Sequence, residues 1–132
     1  MKRLVIDVAA GDYAVAKLGP DADFPAGLLT PGAGGLVSVT RTPTELSVIC
    51  PAGRVPAGAE VEAGWRLLTV RGPLAFTLTG IIAALANELA SAGVALFTMS
   101  TFDTDHVLVK AVDLARAVTA LRAAGHEVEA SA

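Results

Sequence analysis

Cysteine occurs once in the 132 residues, as Cys50. A single thiol closes no internal disulfide, and without a second cysteine or a nearby histidine it founds no thiolate metal site. Its expected place is in the core, as a small apolar side chain. Basic residues are also scarce, with 10 Lys and Arg against 13 Asp and Glu for a net charge of −3. None is clustered beyond a pair, so a phosphate backbone meets little attraction. The aromatic residues are few and show no stacking pattern. Nucleic acid is therefore not an expected partner.

Long apolar runs are missing as well. The most apolar stretch, residues 81–97, is interrupted by Asn87, Glu88 and Ser91, which excludes a bilayer-spanning segment. No membrane partner is expected. The opening Met1-Lys-Arg-Leu-Val-Ile-Asp7 meets an aspartate after three apolar residues, too short for the apolar region of a secretory signal. A cytoplasmic location is the expectation. No lysine follows a glycine-rich run, so a phosphate loop is excluded. No serine has a histidine at a recognisable catalytic spacing, so no nucleophile and base stand out.

What is present is 53% hydrophobic residues, enough for one core of ordinary size or two small modules sharing one. The first half reads as short strands between turns. Leu4, Ile6 and Val8 share one face of a strand, and residues 13–18 follow after Gly11-Asp12, which predicts a hairpin. Residues 19–35 are rich in glycine and proline and predict a loop. A second strand pair, 36–41 and 46–50, is joined by Thr42-Pro-Thr-Glu45, where the proline suits an early turn position. Residues 51–59 carry two prolines and two glycines and mark the boundary inside the chain.

Beyond it, strands alternate with helices. Residues 65–70 predict a strand, ended by Arg71-Gly72-Pro73. From Thr77, Leu78, Ile81, Ile82, Leu85 and Leu89 recur at helical spacing as far as Ala92, with a stop at Gly93. Residues 94–100 and 106–110 read as strands. Asp113 is placed to cap a second helix through Leu114, Val118 and Leu121 that stops at Gly125, and residues 127–129 suit an edge strand. The order β-α-β-β-α-β is that of a ferredoxin-like sheet with both helices on one face. The opposite face then needs cover, which the first half and a symmetric partner could supply.

Two stretches carry the polar residues of interest. In Ser100-Thr-Phe-Asp-Thr-Asp-His-Val-Leu-Val109, short carboxylates suit a hairpin turn, and Asp103 reads as no more than that. Asp105 stands where the next strand begins, beside Thr101 and Phe102, and a carboxylate there could take an ammonium group or a cationic side chain. As metal ligands, Asp103, Asp105 and His106 would need further oxygen donors that no other acidic cluster provides, so no metal is expected. His106 reads as a strand histidine satisfied locally. In Arg71-Gly-Pro-Leu-Ala-Phe-Thr-Leu-Thr-Gly80, unpaired N–H groups at a helix start suit a carboxylate, and Gly80 permits close approach. The bland alternative is a threonine cap and a packing glycine.

These two stretches, together with residues 65–70, 85–93 and Ser38-Val-Thr-Arg-Thr-Pro-Thr-Glu-Leu-Ser-Val-Ile-Cys50, resemble ACT-domain proteins. More narrowly, the chain is similar to the small bacterial ACT proteins related to the CASTOR-type cytosolic arginine sensors, over nearly its whole length. The resemblance implies an α+β chain of two ferredoxin-like (ACT-type) modules, the first divergent and strand-rich over residues 1–60, the second βαββαβ over 61–132. It implies no enzyme activity and no cofactor, but a regulatory protein that binds an amino acid at an interface between second modules, hence as a homodimer with an effector protein of unknown identity. Carried over by position, Phe76, Leu78, Thr79, Gly80 and Ile81 of the loop, with Thr101, Phe102 and Asp105, would face the ligand from one subunit. Ala95 and Leu96 would face it from the other. Where the arginine sensors have acidic residues just before the loop glycine, this chain has Thr77 and Leu78, which favours a small neutral or apolar amino acid. The rival readings are a dimerisation or protein-interaction module without a ligand, and an enzyme using Asp103 or Asp105 as a base.

Overall fold

The computed structural model describes residues 3–31, 34–73 and 80–130. The strands are β1 (Val5–Val8), β2 (Tyr13–Leu18), β3 (Ser38–Arg41), β4 (Leu46–Pro51), β5 (Glu60–Val70), β6 (Leu96–Ser100), β7 (Asp105–Lys110) and β8 (Glu127–Ala130). The helices are α1 (Ile81–Ser91) and α2 (Leu114–Ala123). The chain divides into two compact units, one of Met1–Ala10 with Arg66–Ala132 and one of Gly11–Trp65. These units are drawn differently from the expected 1–60 and 61–132, because the N-terminal strand belongs with the C-terminal residues.

In that larger unit the expected β-α-β-β-α-β order is present as the end of β5, α1, β6, β7, α2 and β8. The N-terminal strand joins it. β1 pairs antiparallel with β5, Ile6 opposite Val70 and Val8 opposite Leu68, and parallel with β8, Ile6 opposite Val128. The expected hairpin of β1 with β2 is thus replaced, since β2 pairs with β4 over six residues and with the start of β5. The physical reason is burial. Side chains alternate across a strand, and Leu4, Ile6 and Val8 enter one cluster with Leu68, Val70, Val107, Val109 and Val128. Ile81, Leu85 and Leu89 of α1 and Ala117 and Leu121 of α2 pack into the same cluster, so both helices cover that sheet face.

Both helices end as the glycines predict. Gly93 (φ 76°) and Gly125 (φ 98°) adopt the left-handed conformation that spares a Cβ clash. At α1 the Gly93 N–H donates to Ala90 O and the Val94 N–H to Leu89 O, both at 2.9 Å. At α2 the Gly125 N–H donates to Arg122 O at 3.0 Å and the His126 N–H to Leu121 O at 3.2 Å. Each pair satisfies carbonyls that the helix leaves open. The cap expected from Asp113 is not made. The residue sits at the N-cap position of α2 without a side-chain cap bond, and its carboxylate takes the Arg116 guanidinium one turn on. The expected helix start at Thr77 lies outside the described residues. The described helix begins at Ile81, with Gly80 (φ 80°) before it and the Ala84 N–H donating to Gly80 O at 2.8 Å.

In the second unit β4 pairs with β2 and β3, and Thr42 closes the β3–β4 turn as the sequence predicts, its N–H donating to Glu45 O at 2.9 Å. Ala16, Leu28, Val48 and Cys50 form the core. Burial pushes the Cys50 thiol up, against the pull of the Arg54 charge, which leaves it an inert packing group. The loop before β3 is tied down by the Leu36 N–H donating to the Tyr13 hydroxyl at 3.0 Å. Gly35 is required there, because a Cβ would stand 2.9 Å from that hydroxyl and from Pro51.

Leu89, 1% exposed at the centre of the larger cluster, gives a direct test of this core. Leu89→Ala is expected to lower unfolding free energy by roughly 2–5 kcal/mol in urea titration, while Val112→Ala, at a residue 91% exposed, shifts it by less than about 0.5 kcal/mol.

Candidate functional site

Antiparallel pairing of β6 with β7 fixes the polar hairpin. Leu96 stands opposite Val109 and Ser100 opposite Asp105, so four residues, 101–104, make the turn. The Thr101 N–H donates to Thr104 O at 2.8 Å and the Thr101 hydroxyl to the same oxygen at 3.2 Å. Asp105 is half-buried, and its Oδ1 accepts from the Ser100 hydroxyl at 2.5 Å. Asp103 is exposed.

Thr104 carries the turn to the neighbouring strand. Its hydroxyl donates to Val70 O, the last residue of β5. The chain after Val70 enters the Arg71–Gly80 stretch, of which Arg71, Gly72, Pro73 and Gly80 are described. That hydrogen bond therefore brings the turn of residues 101–104 to the end of β5, where the second stretch singled out in the sequence begins at Arg71. Beside it, His106 Nδ1 shares a proton with the Thr69 hydroxyl at 2.9 Å, and Nε2 lies 3.4 Å from the Thr101 hydroxyl. Burial lowers the His106 pKa and the nearby Asp105 charge opposes that shift. At neutral pH the imidazole is thus uncharged and gives Asp105 no cationic partner.

The remaining sequence-predicted residues divide into three groups. Gly80 is exposed with open space where a Cβ would be, which admits close approach to its backbone. Ile81 is 6% exposed and packs in the core cluster, so its side chain faces the sheet and only its backbone is on offer to a ligand. Phe76, Leu78 and Thr79 lie outside the described residues. On the hairpin, Phe102 is 79% exposed at the turn. Ala95 is exposed, and Leu96 is half-buried against the core. Reasoning from sequence missed Ser100 and Thr104. Ser100 was within reach, since a four-residue turn places it opposite Asp105. Thr104 was not, because its acceptor is 34 positions away. Among the described residues no group of three or more His, Cys, Asp or Glu side chains is arranged to hold a metal ion, and no helix is long and apolar enough to cross a membrane.

A second polar array lies on the face away from the helices. Arg71 donates from Nε and Nη2 to the two oxygens of Asp7 at 3.1 and 2.6 Å and from Nη2 to Glu129 at 2.9 Å. The guanidinium holds the Asp7 carboxyl below its ordinary range. The array bridges the end of β5 to β1 and β8, and with about half of Arg71 exposed it contributes modestly to stability.

A sheet of this strand order with two helices on one face is the ACT-type form of the ferredoxin-like fold. The family model for the ACT domain matches residues 60–123, so the chain is an ACT-domain protein over that stretch. A second family model, for an N-terminal domain, matches residues 11–58. A protein from Agobacterium tumefaciens with a solved structure is 36% identical, with a TM-score of 0.89, covering 100% of this chain and 96% of that one. The regulatory subunit of aspartate kinase from Thermus thermophilus, in its ligand-free form, shares the fold at 14% identity, with a TM-score of 0.62 over 87% of this chain and 93% of that one. The human cytosolic arginine sensor for mTORC1 subunit 1 is 44% identical over 46 residues, 34% of this chain and 14% of the length of that protein.

Two histidines make the fold sensitive to mild acid. His126 is buried, and its Nδ1 accepts the Leu4 N–H at 3.1 Å; a proton there would confront a donor, and burial lowers its pKa as it does that of His106. Each is depressed below the ordinary 6.5, so the unfolded chain binds more protons and stability rises with pH in that window. Stability is full above about pH 6.5, falls as pH drops toward the lowered native values, and levels off below them. Urea unfolding at neutral pH and at about pH 5 measures the loss, and His106→Gln is expected to reduce it.

Proposed function

We propose that the protein is a non-enzymatic regulator that binds an amino acid between the ACT domains of two identical subunits. The ligand carboxylate meets backbone N–H groups of the loop residues Phe76, Leu78, Thr79, Gly80 and Ile81. Its ammonium meets Asp105, with Thr101 and Phe102 alongside and Ala95 and Leu96 supplied by the other subunit. The observation that carries this reading is the hydrogen bond from Thr104 to Val70 O, which ties the turn before Asp105 to the end of β5. Half-buried Asp105, beside a neutral His106, offers a carboxylate suited to the ammonium of a small zwitterion. Strand β6 supports the pairing of subunits, since among the described strands it pairs only with β7, and an open edge is a template for another chain.

In this reading the Gly11–Trp65 unit is the divergent first ACT-like module. The arginine named in the curated relative gives way here to a small neutral or apolar side chain, because Thr77 and Leu78 bring no carboxylate to the loop. Regulation follows from differential binding. A ligand that prefers one arrangement of subunits shifts the population toward it, and an effector reads that shift.

A thermal-shift screen of the twenty amino acids tests the proposal. One that binds is expected to add about 2.7 kcal/mol of stability at a hundred times its Kd. Asp105→Asn is expected to weaken binding by roughly 1.5–3 kcal/mol while the unliganded melting temperature stays close to that of the parent. No stabilisation by any amino acid at millimolar concentration, or a monomer at all concentrations in sedimentation, overturns it.

A further inference from the structure

The unit Gly11–Trp65 contains a second concave region, away from the β6–β7 turn in sequence and of different chemistry. Two clefts flank Leu28. One, of about 410 Å³, is walled by Pro25, Ala26, Leu28 and Pro56. The other, of about 250 Å³, is walled by Leu29, Pro31 and Val37 with Gly34 and Gly35. Arg54 lines both.

The guanidinium is fixed by neutral groups alone. Nη2 donates to Leu28 O at 2.8 Å and to Gly27 O at 3.3 Å, and Nη1 to Gly34 O at 3.5 Å. Carbonyl dipoles orient the head but leave its unit charge without a counterion. Among the described residues no carboxylate forms an ion pair with Arg54. Asp21 and Asp23 of the same loop are exposed and line neither cleft. A guanidinium carries five N–H donors, so Nε and Nη1 retain capacity toward an anion. An oriented, half-buried arginine with spare donors suits a carboxylate, and the larger cleft, whose walls are mostly apolar, suits a small organic body. No acidic side chain is present to receive an ammonium group, which discriminates against amino acids.

We propose that the clefts around Leu28 form a binding site for a small organic acid without an amino group, its carboxylate on Arg54 and its apolar body against Pro25, Ala26 and Pro56. The site is independent of the proposed amino-acid site, and the two are read out at different residues.

The isotope-labelled full chain is titrated with the 2-oxo acid analogue of leucine while amide resonances are followed by NMR. Leucine itself and inorganic phosphate serve as comparators. The oxo acid is expected to move the Gly27, Leu28 and Gly34 amides saturably, and leucine and phosphate to leave them in place. Arg54→Gln weakens the oxo acid at least about tenfold. Ala26→Phe, which crowds the cleft and leaves the arginine intact, does the same and decides the matter if the arginine variant fails to fold. Unmoved amides at millimolar oxo acid, equal responses to leucine or phosphate, or an affinity unchanged in Ala26→Phe would overturn the proposal.

Discussion

The pairing of β1 with both β5 and β8 is the constraint on which the larger unit depends. Four residues at the start of the chain give backbone hydrogen bonds to two strands that lie sixty and more positions away in sequence. They also deliver Ile6 and Val8 to the centre of the core under both helices. With β1 in place, β5 is held at its Arg71 end, where the Asp7–Arg71–Glu129 array adds an electrostatic clasp. The loop that follows β5 then starts from a fixed point.

From that fixed point the candidate site is assembled by short polar links. Val70 O receives the Thr104 hydroxyl, Thr69 engages His106, and Ser100 engages Asp105. Each link ties the β6–β7 turn either to β5 or to itself. The charge pattern is as informative as the geometry. Burial keeps the His106 imidazole neutral beside the Asp105 carboxylate, so the histidine supplies it no counterion. Around Arg54 the signs are reversed, with an arginine among carbonyls and apolar walls. The two proposed sites thus differ in the sign of the side chain at their centre, Asp105 in one and Arg54 in the other.

Much of this was legible in the sequence where the signal was local. Periodic Leu85 and Leu89 with Gly93, or Leu121 with Gly125, state a helix and its stop within a dozen residues, because burial repeats at 3.6 and glycine alone relieves the left-handed turn. The β3–β4 hairpin was equally plain from Thr42-Pro43. The β1–β2 hairpin failed because Gly11-Asp12 looks like any tight turn, and only the distant partners β5 and β8 outbid it by burying Ile6 and Val8. Asp113 failed as a cap for a similar reason, since Arg116 on the next turn offered a full charge. Ile81 carried two roles in the sequence, core and ligand contact, and the helix phase gives its side chain to the core.

The placement of β1 also bears on how the larger unit closes. The two edges of that strand are covered only when β5 and β8, both distant in sequence, have paired with it, whereas β2, β3 and β4 find partners among one another. A fragment beginning at residue 61 would lack the strand that stands between β5 and β8, so the portion matched by the family model is shorter than the portion that can close a sheet.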